Sequence, residues 1–263
     1  MGTSPIKKSD YVIVEEGEDE IVDILSKEKF DSFMPSILGI GDLSVPSIPT
    51  ESIAAIFDLQ GFTNFCKQID PHLCVPLFLN SFTEWFFQCL REEMTEASSS
   101  ESVSLWAPLP FFIKFLGDGL LVIWDVSQLD APGRINIVVV CATICAKHDT
   151  IFYPMIKKQV SDPPRVLRCG VARGTVYSVG NGEDFVGSCI NMAARLQKLY
   201  NTSFAFNCRG FNISNEVLEH HFKDKFIMKE VVIRGIGEHE IVCILTKDFD
   251  NLPDNDKLNF NDL

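Results

Sequence analysis

Phe111–Val126 reads FFIKFLGDGLLVIWDV. Two apolar runs flank Gly117-Asp118-Gly119, and an Asp-Gly turn between such runs signals a β-hairpin with Asp118 at its tip. A second carboxylate recurs in the same setting upstream. Ser52–Leu59, SIAAIFDL, is a short apolar strand that reaches Asp58 and continues as FDLQGFT over Phe57–Thr63. Glycine close to each aspartate lets backbone and metal approach. Two converging carboxylates suit a pair of hard cations and the phosphates those cations carry. Turn chemistry alone accounts for a single Asp-Gly, so the inference rests on the pair.

Working outward, residues 1–50 are acidic over Glu15–Glu20 and end in ILGIGDLSVPSIPTES. They are read as an N-terminal extension with a short helix around Glu20–Phe33 and an extended linker. Residues 51–247 form the expected domain, and 248–263 an acidic flexible tail. A helix is expected from Pro71 to Glu96, with Leu77, Phe78, Phe82, Trp85, Phe86 and Leu90 at helical spacing and Pro76 near its start. Ser98–Ser102 reads as a flexible loop. Pro132-Gly133 opens a buried helix to about Lys158, and Asp162-Pro163-Pro164 breaks it. RVLRCGVARGTVYSVG (Arg165–Gly180) reads as a second hairpin turning near Gly174. A helix over Ser188–Asn201, a strand SFAFN, a helix NISNEVLEHHF and a last strand pair around Arg234–Gly237 follow. This order predicts an α+β fold, with helices packed on one antiparallel-rich sheet.

The chain has 263 residues, 46% of them hydrophobic, enough for one sizeable core. A net charge of -13 argues against a generic nucleic-acid or anionic-membrane binder. The apolar stretch Ile135–Ala146 reads as too short to span a bilayer. No basic segment followed by an apolar core opens the sequence, so no secretory leader is expected. Nine scattered cysteines without a CxxC pair read as reduced thiols of a cytoplasmic protein. Cys141, Cys145 and His148 have a spacing that could face a metal. With no obvious fourth ligand, a buried helix with scattered cysteines is the preferred reading.

FDLQGFT, KFLGDG (Lys114–Gly119), GEDFVGSCINMAARL (Gly182–Leu196) and VIRGIGE (Val232–Glu238) follow one another across Ser52–Leu245. In order and spacing this resembles the class III nucleotidyl cyclase domains. The resemblance implies the ferredoxin-like class III cyclase fold, with Asp58, Leu59 and Asp118 holding two Mg²⁺ or Mn²⁺ ions. One ion would activate a ribose 3′-hydroxyl and the other neutralise the triphosphate as pyrophosphate leaves. Phe62, Thr63 and Arg234 would contact the substrate, Arg234 standing where the family usually has lysine. Asn191 would lie near the ribose and Arg195 on the charge at the α-phosphate, and Lys114 and Asp184 would contact the base. The family also implies a homodimer, in which each site takes its aspartates from one copy and the other residues from its partner.

Asn191 and Arg195 are four apart and share a helix face, as a solvated arginine on an exposed helix also would. Lys114 also fits an edge-strand lysine, and Asp184 a loop turn. The lysine–aspartate pair follows the family's logic for adenine. A stand-alone domain with Phe111, Phe112 and Phe115 around the hairpin instead resembles the bacterial uridylate and cytidylate cyclases of anti-phage defence. The reading leans to a pyrimidine nucleoside triphosphate, with an adenylate cyclase as the alternative. An inactive nucleotide- or partner-binding homologue is the remaining reading.

Overall fold

A computed structural model describes residues 8–15, 21–34, 38–211 and 225–263, which divide into two units. The first is drawn from residues 1–49 and 177–186. Strands β1 (Tyr11–Glu15) and β2 (Ile21–Leu25) pair antiparallel, and helix α1 (Lys27–Asp31) follows. The Ser26 hydroxyl caps α1 by accepting from the Lys29 N–H. The helix expected over Glu20–Phe33 is therefore a strand and one helical turn, as the β-branched residues Ile21, Val22 and Ile24 favour. The linker is not loose in this unit. Ser178 N–H donates to the Ile48 carbonyl, and Ile48 N–H donates to Ser178 Oγ. Gly180 has φ +56°, and a Cβ there would stand 1.3 Å from the Ile40 carbonyl oxygen.

The second unit, residues 50–176 and 187–263, is built on a long sheet. Its strands begin with β3 (Pro49–Leu59), which leads through helix α2 (Phe62–Phe65) into helix α3 (Pro71–Met94). Helix α3 starts at Pro71, where a missing N–H costs nothing, and carries Pro76 inside it. Strands β4 (Thr95–Ser98) and β5 (Val103–Leu105) pair as a separate ribbon. The serine run expected as a flexible loop is their turn. Ser99 Oγ accepts there from the N–H groups of Glu101 and Ser102. The hairpin forms as read, from β6 (Phe112–Phe115) and β7 (Gly119–Asp125).

Helix α4 (Ala131–Lys147) is capped by Asp130, which accepts from the Gly133 N–H. It continues through a wide turn at His148–Phe152 into α5 (Tyr153–Ile156). The whole run, Ala131–Ile156, is 26 residues and is apolar enough to cross a membrane by length and composition. That is longer than the stretch Ile135–Ala146 suggested. Half of its most apolar window is buried inside the protein, and Ile137, Val138, Cys141 and Ile144 are fully so.

The second expected hairpin is instead one strand, β8 (Leu167–Val179), running straight through Gly174. That glycine serves packing rather than turning, since a Cβ on it would lie 3.1 Å from the Cys189 Cβ. Strand β9 (Asp184–Gly187) leads into helix α6 (Ser188–Leu196). The helix is shorter than expected, and the chain turns through left-handed conformations at Tyr200 and Asn201. Strand β10 (Phe204–Asn207) then lies parallel to β8. The expected helix NISNEVLEHHF falls outside the described residues. Strands β11 (Phe226–Ile233), β12 (Gly237–Leu245) and β13 (Phe260–Asn261) complete the sheet. Its order is β13-β11-β12-β10-β8-β3-β7-β6, with β9 also on β8. The segment after Lys247, expected to fray, is tied down. Val231 pairs with Phe260, and Leu252 and Phe260 are buried.

The period of two along each strand gives the sheet two different faces. Ile53, Ala55, Phe57 and Leu59 of β3 join Leu120, Val122 and Trp124 of β7 and Leu167, Cys169 and Val171 of β8 in one core. Helices α3 and α4 cover that face with residues such as Phe78, Phe82, Phe86 and Val138. Alternation sends Asp58, Arg168 and Gly170 to the opposite face. There α6 lies so close that a Cβ on Gly170 would stand 2.2 Å from the Ala193 carbonyl oxygen.

His148 is enclosed by the rings of Phe82, Trp85 and Phe152 rather than by the two cysteines that precede it on the helix. No group of three or more potential metal-binding side chains occurs among the described residues. Burial pushes the His148 imidazole down to a pKa of about 4. The unfolded chain, titrating near the ordinary value of about 6.5, takes up this proton first, so stability falls as pH drops below about 6.5 and levels off near 4. The loss expected between pH 6.5 and 5 is about 2 kcal/mol. His148→Leu should remove that slope, read as a smaller difference in urea midpoint between pH 7.5 and 5. An unchanged difference would assign the acid sensitivity elsewhere.

Candidate active site

Asp58 stands directly opposite Gly119 in the β3–β7 ladder. The strands meet so closely that a Cβ on Gly119 would be 1.9 Å from the Phe57 carbonyl oxygen. Gly117 turns the hairpin at φ +98°, and the Leu59 N–H donates to the Asp118 carbonyl at 2.9 Å. These contacts hold the two aspartates at the same end of neighbouring strands. Asp58 is buried, 6% exposed, and Asp118 is half-buried. The Leu59 side chain is buried, so this residue has only its carbonyl oxygen to offer a cation. Two carboxylates and a carbonyl are hard oxygen donors that fit Mg²⁺ or Mn²⁺. Such ions keep several waters and take substrate phosphates to complete their shell.

The sequence reasoning missed the partner of Asp58. Arg168, on the adjoining strand β8, brings Nη2 to 2.5 Å and Nε to 3.2 Å of Asp58 Oδ2. Their side chains are 17% and 9% exposed, so both charges are largely withdrawn from water and each depends on the other. A signal was there to read. An arginine between Leu167 and Cys169 in an apolar strand requires a buried counter-charge.

Asn191 and Arg195 both lie exposed on α6, while Cys189, Met192, Ala193 and Leu196 are buried. Arg234 is exposed in the β11–β12 turn, which Gly235 closes at φ +79°. Lys114 stands opposite Leu121 and is half-buried, on the sheet face that carries Asp58. Asp184 opens β9 in the first unit, where its carboxylate accepts from the Phe185 N–H. Thr63 is exposed. Phe62 does not offer its ring to a substrate, because that ring packs in the core against Phe65 and Phe78. Only its main chain could serve. Of the hairpin aromatics, Phe111 and Phe115 are exposed and Phe112 is half-buried.

A cavity of about 340 Å³ opens at the start of α6. Asn191 lines it together with Ser188, Arg173, Asn207 and Arg209, and neither Asp58 nor Asp118 does.

No protein-family model matches the chain, and no curated protein does. Solved structures do. The catalytic core of a rhodopsin-guanylyl cyclase with converted specificity, in complex with ATPαS, aligns with a TM-score of 0.52 at 14% identity. The alignment covers 76% of this chain and 98% of that one. The guanylyl cyclase Cya2 aligns with the same TM-score at 15% identity, over 76% of this chain and 94% of that one. The chain has the class III cyclase fold. At this identity the likeness speaks for the fold alone. Strands β8 and β10 pair in parallel, with α6 between them in the chain, which the sequence had suggested only as separate pieces.

Proposed function

We propose that the chain is a class III nucleotidyl cyclase, which converts a nucleoside triphosphate into its 3′,5′-cyclic monophosphate and pyrophosphate. The observation that carries this reading is the pinned pair of aspartates, Asp58 facing Gly119 with Asp118 beside it, on a sheet with the cyclase fold. Asp58 and Asp118, with the Leu59 carbonyl, would hold Mg²⁺ or Mn²⁺. Those ions, when bound, supply charge neutralisation at the triphosphate and acidify the attacking hydroxyl. The protein's own contribution is positioning. Asn191 orients the ribose, Arg195 offers a planar fork to the charge at the α-phosphate, and Arg234 grips the outer phosphates with help from the main chain at Phe62 and Thr63. The exposure of Asn191 and Arg195 supports their serving an aspartate pair on a second copy, in a homodimer with two composite sites.

For the base, Lys114 and Asp184 are the contacts. Lys114 and the half-buried Phe112 alternate on one face of β6, which supports a small base beside an aromatic ring. The reading is therefore a uridylate or cytidylate cyclase in a cytoplasmic anti-phage signalling system, with an adenylate cyclase as the alternative. One observation favours an inactive nucleotide-binding homologue instead. Arg168 already compensates the charge on Asp58 that a cation would need. Incubating the protein with ATP, GTP, CTP and UTP in turn with Mn²⁺, and identifying products by mass, distinguishes these readings. A cyclic pyrimidine nucleotide is expected. Cyclic AMP alone would overturn the base assignment, and no cyclic product would leave the binding homologue.

A further inference from the structure

The cavity at the start of α6 has a wall that the net charge of the chain does not anticipate. In a protein of net charge -13, the lining among the described residues includes two arginines, Arg173 and Arg209, and no carboxylate. The remaining polar side chains of this lining are Ser188 and Asn191, able to donate a hydrogen bond, and Asn207, whose amide is already engaged. Each arginine has an acidic partner outside the described lining. Glu51 pairs with one Arg173 nitrogen, and the Gly210 carbonyl accepts from another. The third, Arg173 Nε, is buried with no hydrogen-bond partner among the described residues, a donor left without an acceptor. Glu240 is 4% exposed and accepts from Asn207 at 2.9 Å, while its other oxygen lies 3.5 Å from Arg209. The Arg209 side chain itself is 78% exposed, so it is tethered at one edge and free to swing its fork toward the cavity.

We propose that this cavity is an oxyanion site, in which Arg209 takes a phosphate or pyrophosphate group beside Asn191 and the largely buried Arg173 contributes positive charge to the wall. Guanidinium forks match phosphate oxygens in pairs, and a volume of about 340 Å³ admits a pyrophosphate with room for water. The proposal rests on the cyclase reading only for the source of the group, which would be the nucleotide's phosphate chain or the pyrophosphate it releases. Arg209 is then a further residue for that chemistry, on a cavity that Asp58 and Asp118 do not line.

The test is calorimetric titration of the full chain with inorganic pyrophosphate, inorganic phosphate and UTP, in EDTA so that no metal carries the anion. Arg209→Gln should weaken pyrophosphate binding at least tenfold while circular dichroism shows the fold retained, since Glu240 keeps its hydrogen bond from Asn207. A matching loss for UTP identifies the substrate's phosphate chain as the occupant. A loss confined to pyrophosphate and phosphate identifies the released product. Equal pyrophosphate affinity in wild type and Arg209→Gln, or no pyrophosphate binding by wild type at millimolar concentration, overturns the proposal. Mass identification of a cyclic product judges the cyclase reading separately. A chain that cyclises but binds pyrophosphate without regard to Arg209 keeps that reading and loses the cavity.

Discussion

Asp118→Asn is expected to lower cyclic-nucleotide formation by about a thousandfold or more and to leave the fold unchanged, because on the cyclase reading it removes one of the two carboxylates proposed to hold the metal. The structural part of Asp118 is its main chain. Its carbonyl accepts from Leu59 N–H and ties the hairpin to β3, a contact the substitution keeps. The side chain is half-buried and asparagine has nearly its shape, so circular dichroism and thermal midpoint should match the wild type. Activity within tenfold of wild type with Mn²⁺ would remove Asp118 from the metal site. A large fall in the midpoint would show instead that the carboxylate supports the turn.

Arg168 carries the second large effect, and here stability is the quantity to measure. Arg168→Met leaves the Asp58 carboxylate buried without its counter-charge, a change that typically costs about 3–5 kcal/mol. The double variant Arg168→Met with Asp58→Asn removes both charges and should regain most of that loss, since replacing a buried pair by neutral groups is often close to neutral. Urea unfolding of the four proteins gives the coupling directly. Additive losses would mean that the two side chains do not depend on each other. Mn²⁺ should also raise the midpoint of Arg168→Met more than that of wild type, because the cation then meets an uncompensated carboxylate.

The hairpin, the strand ending at Asp58 and the long α3 were legible because their physics is local. Apolar alternation, an Asp-Gly turn and helical spacing each act within a few residues. The misreadings came where a residue answers to something distant. Gly174 looks like a turn, yet it is small because α6 passes over β8, and Gly170 is small for the same reason. The C-terminal acidic stretch looks unstructured by charge, but Phe260 pairs with Val231 and anchors it. Among the candidate site residues, the aspartates, Asn191 and Arg195 were named through their motif positions. Arg168, Arg173 and Arg209 escaped because their roles depend on Asp58, Glu51 and Glu240, all at least 31 residues away in the chain. Phe62 fell between these cases, with its place in the motif readable and its ring's burial in the core not.

The central claim, a cyclase site divided between two copies of the chain, is tested most directly by mixing. Asp118→Asn and Arg195→Ala are each prepared inactive, and subunit exchange is verified with tagged chains. A heterodimer of the two holds one site with both defects and one with neither. Random pairing therefore predicts recovery of about a quarter of wild-type cyclic-nucleotide formation, given two-fold symmetry. Recovery near that level supports the divided site, and a mixture that exchanges subunits yet stays inactive contradicts it.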